Sequence, residues 1–332
     1  MIYRNLGKSG VKVSQVCLGT MMFGDVTSEE ESVAIINAAL DRGVNFFDTA
    51  DKYGAGASET VVGKALSGVR DQVVLATKVG LQVDGKGPNS SGTSRKRIHE
   101  AVNASLRRLG TDYIDLYYLH TYDASTPLEE SLAALEDLLR TGKVLYVAVS
   151  NFRTWQVVRA LGLQERQGWT GLTAVQPLYN LANRDAEVEM LPMAAAMGLG
   201  VVTYSPLARG VLTGKYKAGA QPPEGSRAAR GNVRLLQSEY RESNFLLAEK
   251  VMELAAKAGC SSSQLALAWV MANKYVTAPI IGPRTMTQFE DNMGALEVEV
   301  TEEIEAAIDE LVPPGEHSGK GFPDPAFPVV GR

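Results

Sequence analysis

Residues 73–120 begin with Val73-Val74-Leu75-Ala76-Thr77-Lys78, pass through Ser94-Arg95-Lys96-Arg97-Ile98 to Leu109-Gly110, and end on Tyr113-Ile114-Asp115-Leu116-Tyr117-Tyr118-Leu119-His120. The outer two runs are short, nearly continuous in apolar residues and rich in β-branched or aromatic side chains, the pattern of strands covered on both faces. Between them, apolar residues recur at helical spacing and stop at Gly110, where a left-handed residue ends a helix. Strand, helix, strand in that order is a parallel crossover unit.

The unit repeats in both directions. Strand candidates lie at 13–20, 45–50, 73–78, 113–120, 144–150, 173–178, 200–205 and 276–282, eight in all. Helix candidates lie near 28–42, 58–67, 94–109, 127–141, 154–163, 185–197 and 262–273, with further helices near 239–258, 285–294 and 301–311. Thr126-Pro127-Leu128-Glu129 predicts an N-cap, a proline at the first helical position and a reciprocal carboxylate, and Ser261-Ser262-Ser263-Gln264 predicts a second capping box. Gly142 and Gly198 stand where two more helices should end.

Strands joined by crossover helices must be mostly parallel, which a doubly wound open sheet or a closed barrel would satisfy. Eight of them favour the α/β class with a (β/α)8 TIM barrel. Residues 3–14 read as an N-terminal β-hairpin ahead of the first barrel strand, and the surplus helices fall towards the C-terminus. No Pro/Gly/Ser linker divides the chain, so residues 1–332 are expected to form one domain. The Gly/Pro/Arg-rich stretch 218–237 predicts a long loop over one face, and 313–332 an irregular wrap.

Composition narrows the partners. The chain has 332 residues, 45% of them hydrophobic, and a net charge of −5, so its bulk electrostatics recruit no nucleic acid. Arg95-Lys96-Arg97 follows Ser94 and reads as a solvated first helical turn. The two cysteines, Cys17 and Cys260, suit a reducing compartment, and charges and Gly7 break the first residues, leaving no secretory signal. Pro192, Gly198, Gly200 and Pro206 interrupt the longest uncharged stretch, 190–208, which a buried helix followed by a buried strand explains better than a membrane span. A cytoplasmic protein is expected, and nothing sets its oligomeric state.

In a parallel barrel all strand C-terminal ends open onto one face, so chemistry belongs there. Asp48 stands near the end of strand 2, Tyr53 in the loop after it, Lys78 at the end of strand 3 and His120 at the end of strand 4. Each alone has an ordinary reading, as a turn cap, an exit from the sheet or a satisfied core histidine. Together, consecutive strands deliver complementary groups to one rim. A tyrosine hydroxyl is a poor acid, with a reference pKa of about 10. A lysine ammonium beside it favours the phenolate, an aspartate holds that lysine charged, and a histidine can orient a carbonyl oxygen. A metal is not expected, because the three histidines, His99, His120 and His317, show no ligand spacing.

The stretch Asn45-Phe46-Phe47-Asp48-Thr49-Ala50-Asp51-Lys52-Tyr53-Gly54, continuing to Gly56, Ser58-Glu59 and Gly63-Lys64-Ala65-Leu66, resembles the first signature of the aldo-keto reductase superfamily. Residues 105–120 resemble its second, and the likeness runs from the hairpin through Asn292, closest to the bacterial and potassium-channel β-subunit-like branch. The resemblance implies reduction of an aldehyde or ketone, a small-molecule carbonyl substrate, by NADPH bound in extended form without a Rossmann fold. It makes Tyr53 the general acid, tuned by Lys78 and Asp48, with His120 positioning the carbonyl. It implies cofactor contacts from Thr20 and Met21 after strand 1, from Ser150, Asn151 and Gln176 to the carboxamide, and from Tyr204 stacked on the nicotinamide. Ser205, Leu207, Arg209, Gly210 and Lys215 would embrace the pyrophosphate, and Gly282, Arg284, Gln288 and Asn292 the adenosine 2′-phosphate end. The charged fork of Arg284 suits a phosphate monoester, hence NADPH over NADH. Met22, Phe23, Tyr53 and Tyr122, with residues of the long loops and tail, would line the substrate pocket. Two rivals remain, a cofactor-sensing binding protein like the channel β-subunits and a barrel lyase or epimerase using Lys78 as a Schiff base.

Overall fold

The computed structural model of the chain describes residues 1–83 and 87–318. Eight parallel strands close on themselves: β3 (Cys17–Gly19), β4 (Phe46–Asp48), β5 (Val74–Val79), β6 (Ile114–Leu119), β7 (Val144–Ser150), β8 (Ala174–Gln176), β9 (Gly200–Thr203) and β10 (Ala278–Ile281), with β10 bonded to both β3 and β9. They are preceded by an antiparallel hairpin of β1 (Tyr3–Asn5) and β2 (Lys12–Ser14). Val13 and Ser14 thus belong to the hairpin, and the first barrel strand starts later than residue 13.

The helices of the described residues are α1 (Glu29–Asp41), α2 (Ala57–Leu66), α3 (Arg95–Leu109), α4 (Leu128–Arg140), α5 (Thr154–Gln167), α6 (Met190–Met197), α7 (Val233–Gln237), α8 (Glu242–Lys257), α9 (Ser262–Ala272), α10 (Met286–Gly294) and α11 (Glu302–Leu311). Gly110, Gly142 and Gly198 have the left-handed φ values of 63°, 70° and 69° that close the helices before them. Ser261 and Gln264 form the reciprocal cap expected of them. Thr126 does not cap α4: Pro127 occupies the cap position, and Thr126 Oγ1 instead donates to Asp123 Oδ2 at 2.7 Å. The segment 185–197 divides into a short 3-10 turn and α6, and α7 arises inside the loop expected over 218–237.

Two apolar layers hold the barrel. The larger lies between strands and helices; the smaller fills the barrel with Cys17, Phe46, Val74, Leu116, Tyr118 and Ala174, and includes Leu6 and Val13 of the hairpin, both fully buried. The hairpin closes the N-terminal mouth: Lys8 N donates to Gly198 O at 2.9 Å, Ser14 N to Asn45 Oδ1 at 2.7 Å and Arg4 Nη1 to Val276 O at 2.8 Å, all beside strand starts. On the outside, Gly63 lets α2 meet α3; a Cβ there would stand 2.4 Å from Leu109 O and 2.6 Å from its Cα. Because neither backbone can yield cheaply, Gly63→Ala is expected to cost about 1–3 kcal/mol, read as a lowered urea midpoint with unchanged slope.

Candidate active site

At the C-terminal ends of the strands lies a cavity of about 550 Å³. Its floor is built by three neighbouring strands. Lys78, wholly buried on β5, places its ammonium against Asp48 Oδ1 at the end of β4, donates to Thr49 O at 2.8 Å and reaches Tyr53 Oη at 3.4 Å. The three ammonium hydrogens therefore have three acceptors. The second Asp48 oxygen accepts from Gln176 Nε2 at 2.9 Å, which fixes the carboxylate from across the barrel. His120, just past β6, meets Tyr53 edge-on at 5.9 Å between ring centroids.

The segment carrying Tyr53 is braced by residues that apolar patterning alone does not single out. Tyr53 begins a 3-10 turn in which Gly54 and Ala55 take left-handed angles, followed by Gly56 at φ 97°. Beneath it, Ser58 Oγ lies 2.8 Å from Thr20 Oγ1 and 2.9 Å from Thr49 Oγ1, and buried Glu59 accepts from Thr77 Oγ1 at 2.6 Å and Arg108 Nε at 2.7 Å. Arg97 Nη2 donates to Asp51 Oδ2 at 2.6 Å. Burial still raises the Asp51 carboxyl to about 7, opposed by Arg97 and reinforced by Glu59. The Ser58-Glu59 pair is thus a strut under the tyrosine turn.

Electrostatics sort the four groups. Burial alone would push the Lys78 ammonium down, but Asp48 and then Tyr53 overrule it and its pKa is raised above the ordinary lysine value, so it is charged at neutral pH. Burial raises the Tyr53 phenol; Lys78 pulls it down and Asp48 pushes it up, with a net upward shift. The sequence suggested that the ammonium makes the phenol more acidic. Its influence has that sign, but desolvation outweighs it, and Tyr53 stays protonated. Burial, then the cations Lys78 and Arg234, hold His120 well below the ordinary histidine value, so its imidazole is neutral, and its buried Nδ1 has no hydrogen-bond partner among the described residues.

The remaining expected residues also reach this cavity. Thr20, Met21, Ser150, Asn151, Gln176 and Tyr204 line one part of it. There Tyr204 Oη donates to Asn151 Oδ1 at 2.8 Å, and Asn151 Nδ2 donates to His120 O at 2.8 Å, tying the ends of β6, β7 and β9 together. Ser205, Leu207, Arg209, Gly210 and Lys215 line a second part, and Gly282, Arg284, Gln288 and Asn292 a third. All five described non-glycine residues with positive φ, namely Ala55, Asn151, Ser205, Ala208 and Arg209, sit in loops after barrel strands on this face. Such backbone costs about 1–3 kcal/mol each and gathers where the structure must hold a ligand-facing geometry.

Two expectations change. Phe23 is fully buried in the core, and Tyr122 packs on Phe152 and Trp155 at 5.4 and 6.1 Å; neither lines the cavity. Met22 and Tyr53 do. Arg209 borders the cavity but is paired with buried Glu239 and donates to Ser238 Oγ at 3.1 Å, so it joins the long loop to the end of β9. The long loop reaches the cavity as expected and supplies three lining residues that the sequence reading did not name, Arg227, Asn232 and Arg234. Burial lowers Lys215 to about 8, with Arg284, Arg227 and Arg230 adding to the shift, and burial followed by Arg209 and Arg284 lowers Arg227 to about 10. Arg284 is lowered by burial and then Arg230. These cations repel one another across a cavity that invites an anion.

Comparison with known proteins agrees with this architecture. Residues 15–313 match the model of the Aldo/keto reductase family. The chain is 41% identical to an uncharacterized oxidoreductase, YrpG, of Bacillus subtilis over 97% of its own length and 99% of that protein. It is 38% identical to a "Probable voltage-gated potassium channel subunit beta" of Oryza sativa (93% and 97%) and 35% identical to versiconal hemiacetal acetate reductase of Aspergillus parasiticus (96% and 100%). With a family match over most of its length, closed-barrel topology and relatives of full-length similarity, the chain belongs to the aldo/keto reductase family.

Proposed function

We propose that the protein is an NADPH-dependent reductase of aldehydes or ketones in which Tyr53 is the general acid. The observation that carries this reading is the buried Lys78 ammonium held between Asp48 and the hydroxyl of a protonated Tyr53 at the cavity floor. The residues also suit the cofactor. Lys215, Arg227 and Arg284 are mutually repelling cations placed for phosphates, Ser150, Asn151 and Gln176 offer carboxamide partners, and Tyr204 offers a ring face. When bound, NADPH supplies the hydride that the carbonyl carbon accepts.

The protein's own part is proton delivery and positioning. Tyr53 hands its proton to the carbonyl oxygen, and the adjacent ammonium stabilises the phenolate left behind. Neutral His120 competes with no charge and can hydrogen-bond the carbonyl oxygen, orienting it towards Tyr53. Asp48, fixed by Gln176, keeps the ammonium aimed. Two unpaired thiols, Cys17 and Cys260, agree with a cytoplasmic setting, and no helix among the described residues is long and apolar enough to cross a membrane.

The test is loss of NADPH absorbance with a panel of aldehydes and ketones; retained NADPH without turnover would mark a sensor instead. Cofactor choice has its own test. Arg284→Ala is expected to lower the NADPH-to-NADH ratio of kcat/KM by about 10- to 100-fold, the worth of a hydrogen bond to a charged group. An unchanged ratio removes Arg284 from the 2′-phosphate.

A further inference from the structure

Behind the tyrosine turn lies a second cavity of about 310 Å³, which shares no lining residue with the first. Its charged walls are Asp51, two residues before Tyr53, and Lys96, Arg97, Glu100 and Arg108 of α3. Three cations thus face two carboxylates. Lys96 and Arg97 stand in the first turn of α3, capped by Ser94 Oγ, which accepts from Arg97 N at 3.3 Å, so the helix dipole adds to the positive side.

The bonds within this cluster leave gaps. Arg97 Nη2 serves Asp51 Oδ2, Arg108 serves Glu59, and Lys96 serves Glu100. Asp51 Oδ1 and Arg97 Nε have no hydrogen-bond partner among the described residues, although Asp51 is only 1% exposed and Arg97 9%. Tyr117 Oη, buried on β6, is unpartnered too; burial, then Asp51 and Glu59, raise its phenol while Arg97 and Arg108 oppose them, so it belongs to the same cluster. A carboxylate oxygen calls for a donor and a guanidinium N–H for an acceptor. A plain anion would answer only the second, and a plain cation only the first. One water could answer both, but the cavity has the room of a small-molecule site and its walls carry an excess of positive charge.

We propose that this cavity is a second binding site, for a small oxyanion that carries its own hydroxyl, of the hydrogen phosphate or 2-hydroxycarboxylate kind. An anionic oxygen accepts from Arg97 Nε, and the hydroxyl donates to Asp51 Oδ1. Lys96, Arg108 and the first turn of α3 balance the charge. The test is calorimetric titration of the NADPH-saturated protein with phosphate against sulfate and glycolate against acetate. It is run at about pH 8, above the Asp51 value of about 7, so that the carboxyl is ionised. Within each pair only the first member brings a proton for Asp51. At least one pair should favour that member by about 10-fold in Kd, and the pair that responds separates phosphate from carboxylate. Asp51→Asn, whose amide nitrogen is itself a donor, should erase or invert the preference. The fold tolerates a neutral group there, since buried Asp51 takes up its own proton near neutrality. Arg97→Gln should weaken the favoured ligand about 10- to 100-fold, and the Kd for NADPH should hold in both variants. No preference within either pair, a preference that survives Asp51→Asn, or no binding of any of the four at millimolar concentrations would each overturn the site. The Asp51→Asn comparison decides whether or not NADPH fills the main cavity, because no part of this site lies there.

Discussion

Tyr53→Phe is expected to bind NADPH as wild type does and to reduce carbonyl compounds about 10²- to 10⁴-fold more slowly, the usual contribution of a positioned proton donor. The ring would keep its edge-on contact with His120, and Lys78 would keep Asp48 and Thr49 O, so the fold should lose little. Only the hydroxyl at 3.4 Å from the ammonium disappears. Stopped-flow reduction with one good aldehyde, alongside NADPH fluorescence titration, separates chemistry from binding. Substantial turnover by the variant would remove Tyr53 from the acid role. Because burial keeps the wild-type phenol above its ordinary value, the reductive rate should stay flat through neutral pH and decline only on the alkaline side, as Tyr53 gives up its proton.

Lys78→Met is expected to damage both activity and stability. Asp48, nearly inaccessible, would keep Gln176 but lose its ion-pair partner, and breaking a buried pair from one side costs about 3–5 kcal/mol. Without the ammonium, the phenolate formed on proton transfer lacks its compensating charge, and reduction should fall about 10²- to 10⁴-fold. Alcohol oxidation, which needs that phenolate at the outset, should suffer more than reduction. The checks are denaturant midpoint and kcat in both directions; a variant with normal stability and balanced loss in the two directions would contradict the charge argument. The double substitution Asp48→Leu with Lys78→Met should regain part of the stability and none of the activity.

The barrel was legible because its strands are covered on both faces, which leaves polar residues conspicuous when they interrupt apolar runs. Asp48, Lys78 and His120 stood out in that way, and the closed sheet brings Asp48 and His120 to the cavity with Lys78 buried beneath, bonded to Asp48. What escaped depended on partners distant in sequence. Arg209 looks like a free cation until Glu239, 30 positions on, occupies it. Arg227 and Arg234 sit in a stretch with no apolar period, and only the path of the chain over the cavity gives them a place there. The expected end of α5 at residue 163 fell short because its last turn is polar, and the helix after Thr126 starts one residue later than expected, after Pro127. Phe23 reads as a loop aromatic but turns into the core.

The stopper formed by the N-terminal hairpin bears on proton supply. With Leu6 and Val13 sealing the lower end and the lysine wholly enclosed, the hydroxyl of Tyr53 stands between that ammonium and the upper opening. On the reductase reading proposed above, recharging that hydroxyl would draw on water entering the cavity from which the alcohol also leaves. A slowly leaving alcohol would then delay restoration of the proton.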